Sequence, residues 1–202
     1  MRRLATTLLG TVALAVSFVA PAQGATPSQL PQDNHEPSFG APLTNEMRLL
    51  VRAIASNAPL GAQGAFFPES AYLQMKTGEI PAPASDYVDR LVAFYHLDIA
   101  AYHVKLFHPT SATFLRVNAN ARLAEWIPAG ACENRVGYWH VPGVRLVFER
   151  GHAVVSVAVA SLISWRGVWY VVHLGPNPRP RNVGTVDDYQ IGPGTPGPAG
   201  GC

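Results

Sequence analysis

Cysteine is scarce: the chain of 202 residues has two, Cys132 and Cys202. They form no C-x-x-C, which excludes a thioredoxin-type redox site and a zinc knuckle. Charge is also thin, at 14% of residues, with 15 Lys+Arg against 13 Asp+Glu. The standard catalytic and nucleotide signatures are missing: no G-x-S-x-G elbow, no phosphate-binding P-loop and no H-E-x-x-H. His35-Glu36 has Phe39 where a second metal ligand would stand. "GPGTPG", Gly192 to Gly197, has the G-x-G-x-x-G spacing, but its prolines forbid the helix a dinucleotide fingerprint needs.

What is present begins at the N-terminus. Arg2 and Arg3 precede an apolar run, Leu4 to Ala20, followed by small residues at Ala20-Pro21-Ala22 and Ala22-Gln23-Gly24. This pattern predicts a cleaved Sec-type signal peptide over residues 1–24, and so a secreted or cell-envelope protein. The alternative is an uncleaved anchor, for which the run is borderline against the ~20 residues that span a bilayer. With no cysteine near the cleavage site, a lipid anchor is not expected, nor is any stable membrane anchor after cleavage. Cutting after Gly24 removes two arginines and no acid, leaving 13 basic against 13 acidic residues. A neutral mature chain lacks the basic footprint of a nucleic-acid binder.

In an exported chain the two cysteines are expected to be oxidised. A Cys132–Cys202 bridge would close a loop of about 70 residues, worth ~4 kcal/mol in the chain-entropy account. A bridge between two chains through Cys202 is the alternative. The tail, Gly175 to Cys202, holds six Pro and seven Gly in 28 residues, so most of it is expected to be irregular. Residues 25–43 form a Pro-rich lead-in, and residues 44–174 are long enough for one domain with one core.

Within that domain helices come first. Thr44 is placed to cap a helix running to about Asn57, where Pro59 and Gly61 end it. Pro68 opens a short second helix to about Lys76. Ser85, with Asp86 and Asp89 in the first turn, is placed to cap the longest helix, which runs to Phe107 before His108-Pro109. Val88, Leu91, Tyr95, Ile99, Tyr102 and Leu106 make one apolar stripe, with Phe94, Leu97, Ala101 and Val104 largely opposite, so this helix is expected to be packed on two sides. His96 and His103 on it are seven residues, about 10 Å, apart, too far to share an ion. Asp98 points away from His96, so no metal or cofactor is implied.

Strands follow: Ala112–Val117, Leu123–Ile127, Arg135–Val141, Val144–Arg150, Ala153–Trp165 and Val168–Leu174, with Pro142-Gly143 and Arg150-Gly151 read as turns. Short links imply antiparallel neighbours. The predicted fold is α+β, with N-terminal helices on a curved antiparallel sheet of about 4–6 strands. For the last hairpin, a three-residue loop with Gly167 left-handed pairs Ile163 with Trp169 and Val159 with His173. A two-residue turn pairs Trp165 with Val168 and Ala160 with His173, at the cost of positive φ at Arg166. Val155, Val157, Val159, Ile163 and Trp165 share one face, and Ser156, Ala158, Ala160, Leu162 and Ser164 the other. Neither is charged, so both need cover: helices on one, the tail or a second subunit on the other.

The closing "W-R-G-x-W-Y-V-V-H-L" hairpin after N-terminal helices resembles the NTF2-like (cystatin-like) cone. More narrowly, "AYLQMKT", "LDIAAYH", "GYWHVPGVRLVF" and "SLISWRGVWYVVHLG" resemble an uncharacterised family of exported actinobacterial proteins, over Thr44 to Gly175. The resemblance implies a pocket between the long helix and the concave sheet. Its candidate catalytic groups would be Asp98, Tyr102, His103 and His173, and its candidate ligand-binding groups Tyr95, Tyr138, His140 and Tyr170. The plainer reading packs Tyr95 and Tyr102 in the apolar stripe, with their hydroxyls reaching an edge, and makes His103 and His173 structural. The leading functional expectation is an exported, non-catalytic binding or interaction domain for a small apolar ligand or protein partner. Alternatives are an NTF2-like acid–base enzyme acting on a hydrophobic substrate and a structural partner of an envelope complex. A homodimer through the sheet is a further option.

Overall fold

A computed structural model describes residues 31–198. The expected signal peptide, residues 1–24, and Cys202 lie outside the described residues. The helical half contains α1 (Ala41–Ser56), α2 (Glu69–Met75), α3 (Pro83–Asp86) and α4 (Ala93–Phe107). A π-helical segment, Tyr87–Val92, joins α3 to α4. The sheet half contains β1 (Ala112–Asn118), β2 (Glu125–Ile127), β3 (Tyr138–Arg150), β4 (Ala153–Trp165), β5 (Val168–His173) and β6 (Asp187–Ile191). The fold is α+β, with helices packed against an open antiparallel sheet of six strands.

Helix starts differ from the sequence reading. α1 begins at Ala41, with Pro42 in its first turn, and Thr44 lies inside it, its hydroxyl donating to Gly40 O at 3.3 Å. Ser85 likewise sits inside α3, which opens on Pro83. In both cases a proline, whose φ suits the first helical turn and whose missing N–H costs nothing there, takes over the start.

β3 and β4 form the centre of the sheet, paired from His140–Ile163 to Arg150–Ala153. β1 and β2 share the far edge of β3, while β5 and β6 share the far edge of β4. Pro142-Gly143 is not a turn. β3 runs through it, with Pro142 paired to Ser161 and Gly143 at φ +59°. Here the long β4 template outweighs the local turn signal. Gly143 has a second reason to be glycine: Gly197 N donates to its carbonyl at 3.2 Å, and a Cβ would meet the Gly197 backbone at 2.4 Å.

The closing hairpin adopts the two-residue register, with Trp165 paired to Val168 and Ile163 to Tyr170. The expected three-residue loop is not formed. Arg166 takes φ +50° and Gly167 φ +79°, the twist that matches the strands. The Arg166 N–H donates to Gln32 Oε1 at 2.6 Å, and its guanidinium lies 5.4 Å from the Trp165 ring centroid, contacts that offset the left-handed conformation. A bulge then pairs His173 with Ser161 rather than with Ala160.

Most of the described tail is irregular, as its composition suggests, but one segment is a strand. Its β6 pairs with β4 at Val155, Ser156 and Ala158. Arg145, fully buried, donates to Ser156 Oγ (2.8 Å), Asp188 Oδ2 (2.7 Å) and Asp188 O (2.6 Å). Gly194 lies so close over Ser156 and Arg145 that a Cβ would meet Ser156 Oγ at 2.5 Å. The face bearing Ser156 is thus covered by the tail. The tail docks because it satisfies its backbone against β4 and against polar groups of α4, needing little apolar surface of its own.

Tyr102, buried in α4, ties these parts together. Its oxygen lies 2.5 Å from Ala158 O and 2.9 Å from Leu174 O, and accepts from Asp187 N at 3.0 Å. We predict that Tyr102→Phe, which leaves these backbone groups short of a partner, lowers stability by about 1–3 kcal/mol in a denaturant titration and exposes β6 to proteolysis.

Candidate functional site

A cavity of about 730 Å³ lies between the upper half of the sheet and the helical segments before α4. The antiparallel register places Tyr138, His140 and Pro142 of β3 on one face with Ser161 and Ile163 of β4. The β5 bulge lets two successive residues, Val172 and His173, both line the cavity. Bulges of this kind re-aim side chains beside sites.

The opposite wall comes from Phe67, from Tyr72, Met75 and Lys76 at α2, and from Arg90 and Leu91 in the π-helical segment. A π-turn widens a helix locally and is concentrated at functional sites. Pro176, Asn177, Gly197 and Pro198 of the tail also contribute to the lining. Tail and helices together close one part of the sheet into a chamber.

The polar groups of the chamber fall into two clusters. In the first, Arg90 donates to Asp86 Oδ1 (2.7 Å), to Asp86 Oδ2 (2.5 Å) and to the Tyr72 hydroxyl (3.1 Å), while Tyr72 donates to Asp86. The Arg90 guanidinium holds the Asp86 carboxyl below its ordinary range. Lys76 stands nearby, 4.0 Å from Glu133, and burial lowers its pKa. In the second cluster, His140 Nε2 lies 2.9 Å from Ser161 Oγ, and His140 Nδ1 lies 3.5 Å from Glu125 Oε1. The latter distance is that of an ion pair rather than a well-formed hydrogen bond. Burial pushes the His140 pKa down, with Glu125 opposing it.

His173 registers the field of the chamber. Its pKa is lowered to about 4, first by burial and then by the charges of Arg90, Arg179 and Lys76. Two acids, Glu133 and Asp187, also line the space, yet the charges that shift His173 are cationic.

Of the sequence-nominated residues, Tyr138, His140 and His173 line this cavity. Asp98 does not. Buried in α4, it accepts from Arg179 through both oxygens, from Gly175 N (2.9 Å) and from Thr185 N (3.0 Å), which fastens the tail to the helix. Burial pushes its pKa up against the pull of these donors. Tyr102 is the anchor described above. The Tyr95 hydroxyl donates to Ala62 O at 3.1 Å. His103 Nδ1 bonds Ile54 O at 2.8 Å, and its Nε2 meets His108 Nε2 at 2.9 Å. Tyr170 packs its ring edge-on to Phe67, 6.1 Å between centroids. These residues have structural partners in place of a shared pocket.

Lys76, Arg90, Glu125 and Ser161 were not nominated from sequence. Ser161 left a trace there: it is the one hydroxyl in the file Val155, Val157, Val159, Ile163, Trp165. The two clusters otherwise meet only through strand register and the path of the chain after α2.

Comparison settles no family. The chain matches no known protein family, no curated protein and no solved structure.

Because the folded chain keeps His173 neutral, the stability this contributes is complete above the unfolded-state pKa of 6.5 and is lost as pH falls toward about 4. The ring faces a cavity rather than a sealed core, which reduces the effect to an expected ~2 kcal/mol between those limits. Urea titrations at pH 7 and pH 4.5 should show His173→Gln losing less stability than the wild type on acidification; equal losses would refute the assignment.

Proposed function

We propose that the protein is an exported binding domain whose chamber takes a small amphipathic ligand with an apolar body and an anionic end. The observation that carries this reading is the pairing of cations with apolar walls in one cavity. Phe67, Met75, Ile80, Leu91, Ile163 and Val172 offer an apolar lining, and Lys76 and Arg90 share it. A volume of about 730 Å³ suits a small organic molecule. Arg90 is already held by Asp86, so Lys76 is the cation with most to gain from a ligand carboxylate. Its pKa, lowered by burial, would rise again beside a bound anion.

Export is supported by the leader pattern of residues 1–24. Among the described residues no helix is long and apolar enough to cross a membrane. Helices over a concave antiparallel sheet with a chamber between them favour an NTF2-like cone. Cys132 and the tail residues Gly197 and Pro198 line the same chamber, which supports an intramolecular Cys132–Cys202 bridge that holds the tail in place. With the tail over Ser156 and Arg145, this reading needs no second copy on that face.

Two measurements test these points. A fluorescent polyene fatty acid should bind the mature chain at one saturable site. Lys76→Gln should weaken it about tenfold, near 1.4 kcal/mol, while leaving the affinity of the corresponding fatty alcohol unchanged. No saturable binding of either probe would overturn the reading. Non-reducing peptide mapping should recover a Cys132–Cys202 linked pair from monomer; the same link found only in a covalent dimer would place the bridge between chains.

A further inference from the structure

The cluster on the sheet side of the chamber is more than a satisfied polar pair. Three side chains lie side by side across three adjacent strands: Glu125 on β2, His140 on β3 and Ser161 on β4. Glu125 and His140 are direct cross-strand partners, and His140 reaches diagonally to Ser161. Ser161 Oγ is 2.9 Å from His140 Nε2, and Glu125 Oε1 is 3.5 Å from His140 Nδ1 on the far side of the ring. Both Ser161 and His140 line the cavity in which a ligand would lie. His140 Nδ1 is buried and has no closer hydrogen-bond partner, so the Glu125 carboxylate is the group toward which it can turn a proton. That tautomer leaves Nε2 as an acceptor for the Ser161 hydroxyl, the arrangement of nucleophile, base and orienting acid that activates a serine.

We propose that Ser161, His140 and Glu125 form a serine-hydrolase relay that cleaves carboxylic esters bound in the chamber. The proposal rests on the ligand-binding reading above, which supplies the substrate class: an ester with an apolar acyl chain. In the first half-reaction Ser161 Oγ bonds to the carbonyl carbon as its proton passes to His140 Nε2. The tetrahedral oxyanion collapses, the bond to the alcohol oxygen breaks, and that oxygen takes the proton from His140. In the second, water adds to the acyl carbon and gives a proton to His140. The Ser161 ester bond then breaks, Ser161 Oγ recovers the proton, and the carboxylic acid leaves. Glu125 is a positioning residue that holds the ring and stabilises its charged form. Arg90 and Lys76 line the same cavity as Ser161 and are the cations from which the developing oxyanion would draw stabilisation.

The test uses the mature full-length chain and an alkyl fluorophosphonate. Wild type should gain the mass of one adduct, mapped to Ser161, and should hydrolyse p-nitrophenyl octanoate with release of octanoate. Ser161→Ala should take no adduct while keeping the wild-type circular-dichroism spectrum and unfolding transition, which shows that the fold is intact. His140→Gln should slow adduct formation at least about a hundredfold, the lower range for loss of a general base. Glu125→Gln should lower kcat about tenfold with KM and fatty-acid affinity unchanged, which a merely structural loss would not do. A wild-type chain that binds fatty acid but takes no adduct overturns the relay and leaves the binding reading standing. An adduct that persists in Ser161→Ala overturns it equally. A chain that neither binds nor reacts overturns both.

Discussion

The ladder between β3 and β4 carries everything else in the sheet. These two strands, Tyr138–Arg150 and Ala153–Trp165, are turned tightly at Gly151 and stay paired up to His140 and Ile163. Each short strand then needs only one long edge to join: β1 and β2 take β3, and β5 and β6 take β4. Along a single face, the ladder changes character. Val144, Leu146 and Phe148 with Val155, Val157 and Val159 are fully or almost fully buried in the apolar core. Beyond Pro142 and Ser161 the same face carries Tyr138, His140 and Ser161, and it borders a cavity instead. Core and chamber are therefore two halves of one surface, and the stability of the first holds the geometry of the second.

The helices divide the work in a way that residue type alone would not suggest. α4 spends its buried polar groups on the tail. Asp98 and Tyr102 satisfy backbone amides and carbonyls of residues 174–187 that would otherwise be buried without partners. The chamber instead draws its charge from α2, α3 and the π-helical segment, where Tyr72, Asp86 and Arg90 brace one another. A braced guanidinium keeps its position and its field. Burial keeps the His173 imidazole neutral, and the Arg90 charge adds to that effect.

Where sequence reading departed from the structure, the departures share one cause. Pro142-Gly143 is a good turn in isolation, Arg166 is a poor left-handed residue, and the tail is a poor strand former. In each case a neighbouring strand or a buried polar partner outweighed the local preference. Thr44 and Ser85 are sound caps, displaced because prolines upstream start the helices sooner. The candidate site was half legible. Tyr138 and His140 follow from alternation along β3, whereas His173 reaches the chamber through the β5 bulge. Asp98, Tyr95, Tyr102 and His103 did not join them, because a helix packed on two sides sends polar groups to whichever neighbour lacks a partner.

The amino-acid sequence by itself determined that helices precede strands, the limits of β4 and most of β5, and the need to cover both faces of the sheet. These follow from periodicity and composition, which act over a few residues at a time. Only the tertiary structure decided which polar groups meet. Glu125, His140 and Ser161 are brought together by strand register, and Lys76 and Arg90 by the path from α2 to α4. Register and packing are long-range outcomes of the whole fold, so no local pattern could have announced that Lys76, Arg90, His140 and Ser161 line one chamber with Glu125 behind His140.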